Sequence, residues 1–166
     1  MSKLMIGMFV LFLWASCSKD HVDPEMMAPL EIQKQLEAYY WEPVPVAGDE
    51  KNELYHYKPQ DCEMDNLYSF YFGENAQKLM VDSGDEQCDT GEDTFEETIM
   101  QDAIDRSFTY DQEKSSMKFV NSDQYESYGV LIDGDYLVLT YRNNNPTANI
   151  IPMEYHFRGK SKTGAQ

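Results

Sequence analysis

The sequence predicts an all-β protein, an antiparallel barrel or sandwich, and three observations carry that prediction. Short segments of alternating polarity follow one another from residue 66 to residue 158. Asp133-Gly134-Asp135 stands between two apolar segments, the pattern of a tight β-hairpin. No long helix-period segment separates the strands, so alternating strand–helix units and a parallel sheet are excluded.

In chain order, residues 18–28 read as a polar, Pro-containing tether. Pro29 then opens one short helix, Leu30 to Ala38, since proline is tolerated in the first helical turn. Its face of Leu30, Gln33 and Glu37 is only partly apolar. Residues Tyr39 to Val46 are β-prone, but Pro43 and Pro45 confine them to an edge or a bend. Asn66 to Gly73 sets Tyr68, Phe70 and Phe72 on one face; Gln77 to Asp82 sets Leu79 and Val81 together. Ser107 to Asp111 has Phe108 and Tyr110 in phase, and Ser116 to Val120 has Met117 and Phe119. Tyr128 to Ile132 and Tyr136 to Arg142 form the hairpin. Ile150 to Arg158 is the closing strand, with Met153, Tyr155 and Phe157 opposite Glu154, His156 and Arg158. Residues 82–105 hold ten acidic side chains and no basic one before Arg106. They read as a long solvated excursion, with a helical turn or two where Phe95, Ile99 and Met100 fall loosely in phase.

The first residues carry an address. Lys3 precedes an apolar run from Leu4 to Trp14, about half of the ~20 residues a membrane-spanning helix needs. Ala15-Ser16-Cys17 then resembles the bacterial lipobox, although Trp14 stands where that motif usually has leucine. The resemblance implies cleavage before Cys17 and lipidation of its thiol and new amine. Cys17-Ser18-Lys19-Asp20 is similar to the start of many mature Bacteroidota lipoproteins, which implies a lipid-anchored protein of the bacterial outer membrane or cell surface. Several acyl chains, at about 0.8 kcal/mol per buried methylene, make such an anchor permanent. The expected organisation is a signal peptide at 1–16, a tether at 17–29, one barrel domain at 30–158 and a polar tail at 159–166.

The formal charge is −17, and −18 without Lys3 and the rest of residues 1–16. That surface disfavours nucleic acid and anionic lipid, because phosphate binding needs basic side chains. With Cys17 assigned to lipid, Cys62 and Cys88 remain, and two thiols in an exported protein read as one disulfide.

Asp61-Cys62-Glu63-Met64-Asp65-Asn66-Leu67-Tyr68-Ser69-Phe70 resembles the Cys-x-x-Asp-Asn/Asp-x-x-x-Phe element of the lipocalin-like domains of Bacteroidota lipoproteins. Gly73, Cys88 and the late hairpin Val130 to Leu139 fit the same pattern, whereas the usual early Gly-x-Trp is represented only by Trp41. The resemblance implies a small up-and-down β-barrel with one open end, filled by side chains or holding one small ligand.

No catalytic signature is present. There is no Gly-x-Ser-x-Gly elbow, and no cysteine is left over as a nucleophile. His21 lies in the tether, His56 lies between tyrosines, and His156 reads as a solvated residue of the polar face of the last strand. No His-x-His or His-x-x-x-His spacing and no calcium-loop order occurs, so neither metal nor cofactor is expected. The expected function is therefore non-enzymatic: a lipid-anchored lipoprotein binding a small apolar or amphipathic ligand. Tyr68, Phe70, Phe72, Phe119, Tyr136, Tyr141, Tyr155 and Phe157 are the candidate lining. The alternative is a protein-interaction module, an envelope-complex subunit or an inhibitor, that turns the acidic 82–105 segment toward a basic protein.

Overall fold

The computed structural model describes residues 29–46, 54–86, 88, 94–101, 103–147 and 150–162. The signal, Cys17 and the tether up to residue 28 lie outside the described residues, as do 163–166. Helix α1 (Pro29–Ala38) runs directly into strand β1 (Tyr39–Pro43). Strands β2 (Tyr55–His56), β3 (Leu67–Phe72), β4 (Gln77–Asp82), β5 (Asp105–Asp111), β6 (Ser116–Phe119), β7 (Glu126–Asp133), β8 (Tyr136–Asn143) and β9 (Met153–Ser161) follow. Strand β1 joins β3, neighbours then pair antiparallel from β3 to β9, and β9 returns to β1 with Tyr39 opposite Ser161 and Pro43 opposite Phe157. The sheet is thus a closed, eight-stranded, up-and-down barrel in which each wall strand is paired on both sides.

Three details differ from the expectation. Strand β1 is paired on both sides rather than an edge; Pro43 is its last residue, where a missing N–H costs least. The two-residue β2 was not anticipated. It pairs parallel with the first half of β9, Tyr55 opposite Met153 and His56 opposite Glu154, and so lies outside the barrel circuit. Strand β9 continues to Ser161, three residues beyond the expected end of the domain.

The inward residues follow the predicted alternation. Trp41, Tyr68, Phe70, Leu79, Phe108, Met117, Phe119, Tyr128, Leu137, Leu139, Tyr155 and Phe157 are all buried in one core. The hairpin from β7 to β8 turns on Gly134 and Asp135, and Gly134 adopts φ +61°, a conformation that favours glycine at the first turn position.

Both ends of the barrel are closed by chain. At one end, Ile32 and Leu36 of α1 enter the core and the Leu36 carbonyl accepts a hydrogen bond from Trp41 Nε1 at 3.0 Å. Glu37 pins the helix to the end of β3 by accepting from the Phe72 N–H at 2.9 Å. At the other end, the acidic excursion turns back. Residues Glu96–Met100 form a single π-helical turn, and Phe95, Ile99 and Met100 are buried. The Phe95 ring meets Tyr68, Tyr155 and Phe157 edge-on at 4.9, 5.1 and 5.4 Å between centroids. The solvated reading of 82–105 is therefore corrected for Thr94, Phe95, Ile99 and Met100 and holds for the exposed Glu97 and Thr98. The apolar side chains of Phe95, Ile99 and Met100 stop the barrel mouth, because leaving three large apolar groups in water costs about 1.5–3 kcal/mol each.

Arg106, the first base after the acidic run, points into this end. Its guanidinium donates to the Ile99 carbonyl and lies 4.8 Å from the Phe119 ring centroid, and burial lowers its pKa.

The Cys62–Cys88 disulfide forms as expected, with Cα atoms 5.2 Å apart. The neighbouring motif residues act with it. Asp65 Oδ2 accepts from the Asp85 N–H at 2.7 Å, and Asn66 Oδ1 accepts from the Gly84 N–H at 2.9 Å. A Cβ on Gly84 would lie 1.9 Å from the Asp65 carboxyl, so only glycine permits this approach. The Cys-x-x-Asp-Asn element is thus a clamp on the start of the acidic excursion. The disulfide closes a separation of 26 residues, and removing it with Cys62→Ser plus Cys88→Ser is expected to cost about 3 kcal/mol. A urea titration of that variant against the oxidised parent measures the loss, and an unchanged midpoint would refute it.

Candidate functional site

Of the eight aromatics expected to line a ligand cavity, Tyr68, Phe70, Phe119, Tyr155 and Phe157 are buried in the core, and Phe72 and Tyr141 pack partly buried against it. They meet one another and the end-closing residues. Phe72 stands edge-on to Phe108 at 5.4 Å, Phe119 to Tyr128 at 5.2 Å, and Tyr128 lies tilted against Tyr141 at 5.4 Å. The space bounded by Trp41, Tyr68, Phe70, Phe95, Leu137 and Phe157 admits no water molecule. In this conformation the aromatics pack against one another and leave no ligand volume among those six. Tyr136 is the exception, because it faces outward with Val138 on β8 and joins a different group.

That group stands on the outer wall, where β2 crosses β9. The same alternation that sends Tyr155 and Phe157 inward turns Glu154 and His156 outward. The parallel pairing brings His56 opposite Glu154; this strap, β2 with Tyr57, is fastened by the Tyr57 N–H to the Glu154 carbonyl at 2.8 Å, and the Val44 N–H beyond the end of β1 donates to the His156 carbonyl at 2.9 Å. His56 Nδ1 lies 3.1 Å from His156 Nε2, His156 Nε2 lies 3.2 Å from Glu154 Oε2, and His56 Nδ1 lies 3.4 Å from the same oxygen. The second nitrogen of His156, Nδ1, is 3.0 Å from the Tyr136 hydroxyl.

His156 is 8% exposed, which corrects the expectation of a solvated residue. The strap and Tyr136 cover a face that strand periodicity alone assigns to water. Burial lowers the His156 pKa; Glu154 opposes this and His56 reinforces it. The imidazole is thus biased toward its neutral form, the form that offers a lone pair.

Chemically, two imidazole nitrogens and one carboxylate oxygen converge on one point, a donor set suited to a proton or a cation. The sequence held no local sign of it. His56 and His156 are 100 residues apart, and only the parallel pairing of an unpredicted two-residue strand brings them together.

On the wall formed by β5 and β6 there is also an open depression of about 410 Å³, bordered by Thr109, Asp111, Lys118, Tyr125 and Glu126. Its lining is mixed and polar, with no convergent set of buried groups. No known family model, curated protein or solved structure matches this chain.

Proposed function

We propose that this protein is a lipid-anchored, non-enzymatic lipoprotein of the bacterial envelope or cell surface that works as a protein-interaction module, its barrel serving as a solid scaffold. The observation that supports this reading is the packed interior: aromatic side chains fill the barrel centre, and α1 and residues 94–100 close its ends. A carrier of a small apolar ligand would need one of these plugs to withdraw. An outward-working module needs only a rigid wall.

The acidic excursion suits a basic partner. Asp82, Asp85 and Glu86 are exposed at its start, held in place by the Asp65 and Asn66 clamp, on a chain of formal charge −17. Charge of one sign on a fixed surface raises encounter rates with an oppositely charged protein. The combined variant Asp82→Asn, Asp85→Asn, Glu86→Gln leaves the clamp, disulfide and plug intact. It is expected to reduce capture of basic proteins from envelope extract by immobilised protein. An unchanged capture profile would remove the excursion as the contact surface. Native mass spectrometry of protein isolated from its own membrane addresses the carrier reading, since a retained small molecule would restore it. Metabolic labelling with a palmitate analogue, lost in Cys17→Ser, is the expected signature of the anchor.

A further inference from the structure

The geometry points to a metal site on the barrel wall: we propose that His56 Nδ1, His156 Nε2 and Glu154 Oε2 bind one divalent first-row transition-metal ion, with Zn²⁺ the best fit. The three donor atoms form a triangle with sides of 3.1, 3.2 and 3.4 Å. Zinc bonds to nitrogen and carboxylate oxygen are about 2.0–2.2 Å long, so two ligands of a tetrahedral zinc stand about 3.3 Å apart. The triangle matches one face of that tetrahedron. A point about 0.8 Å off its plane lies about 2.05 Å from all three atoms, so the spacing of the donors already suits a shared ion.

Donor chemistry agrees with geometry. Two imidazoles and one carboxylate are borderline donors that suit zinc and its neighbours, whereas calcium and magnesium prefer an all-oxygen shell. Three protein ligands leave a fourth position for water or for a group from a partner. The surroundings supply what a metal-binding histidine usually has. Tyr136 Oη stands 3.0 Å from His156 Nδ1, placed to accept a hydrogen bond from Nδ1–H in the tautomer that leaves Nε2 free for the ion. Pairing of β2 with β9 holds the His56 and Glu154 backbones in register. The site also lies at a strategic seam. An ion there would staple β2 onto the barrel wall, adding a cross-link between segments that only short pairing now joins.

Calorimetric titration of the full protein, freed of metal by chelation, with ZnCl₂ alone tests this. One equivalent is expected to bind with a micromolar or lower dissociation constant. Because His156 is buried and its loss would disturb the wall, the main variants are His56→Ala and Glu154→Gln, on side chains about one-fifth exposed. Each is expected to weaken zinc binding at least 100-fold while the circular dichroism spectrum stays that of the parent. Tyr136→Phe is expected to weaken it about 10-fold, as loss of an outer-shell partner does. Co²⁺ provides an independent reading: one equivalent should give the visible absorption of a four-coordinate site in the parent and lose it in His56→Ala. Absence of saturable zinc heat overturns the proposal. So does binding of several equivalents that His56→Ala leaves unchanged, which would assign the ions to scattered surface carboxylates.

Discussion

Glu63→Ala is expected to destabilise the protein by about 3–5 kcal/mol, among the largest losses any single substitution should cause. The Glu63 side chain is fully buried and ties the stretch from Tyr57 to Glu63 to the backbone at Phe95. Its Oε1 accepts from the Phe95 N–H at 2.7 Å, and its Oε2 accepts from the Gln60 N–H at 3.0 Å and from the Tyr57 hydroxyl. Burial, and next the bond to Glu63, raise the Tyr57 pKa, so the phenol keeps the proton that it donates. Alanine would remove the acceptor that Glu63 offers to the Phe95 and Gln60 N–H groups and to the Tyr57 hydroxyl. Each buried donor left unsatisfied costs about 1–3 kcal/mol. Glu63→Gln should fall between parent and alanine, because it keeps one acceptor oxygen and presents a donor where the other stood. Urea unfolding measures the difference; with a slope near 2 kcal/mol per molar, the alanine midpoint should fall by about 2 M. A fall below about 0.5 M would mean that the mouth is not held by this carboxylate.

Phe95→Ala is expected to cost about 3–5 kcal/mol and to open the barrel. The ring is 1% exposed and stands edge-on against Tyr68, Tyr155 and Phe157, so its removal takes one member from each of three aromatic pairs. The neighbours belong to rigid strands and cannot collapse fully into the gap, which is why a cavity term adds to the lost burial. The cavity would be apolar, dry, and able to take benzene or xenon. Stabilisation of the variant by benzene, with none for the parent, is the expected result; equal response of both proteins would show that Phe95 does not fill the barrel. Glu63→Ala and Phe95→Ala should be less than additive together, because one of the carboxylate's bonds holds the Phe95 backbone.

The barrel itself was legible in the chain because its strands bury one face. Tyr68, Phe70 and Phe72, then Leu79 and Val81, then Met153, Tyr155 and Phe157 repeat every second residue, and the observed strands cover those runs with shifts of a few residues at their ends. Strand β4 has the predicted bounds, Gln77–Asp82. The Cys62-x-x-Asp65-Asn66 element was recognisable too. Its work as a clamp was not, since that depends on Gly84 and Asp85 approaching from across a loop. Phe95, Ile99 and Met100 share a helical phase, yet the ten acidic side chains of residues 82–105 favour water for that segment. Local charge density dominated the reading, whereas three apolar side chains dominated the packing.

From the order of residues alone came the all-β class, the hairpin at Gly134, the pairing of Cys62 with Cys88, the acidic charge and the expected lipid address at Cys17. These rest on period, turn chemistry and composition, which are properties of neighbours in the chain. Closure of the sheet through β1 and β9, the two plugs and the meeting of His56, Glu154 and His156 came only with the tertiary structure. The physical reason is range. Alternation says that His156 points away from the core, but it cannot say that a strap returning from 100 residues earlier will cover it and bring a second imidazole to 3.1 Å.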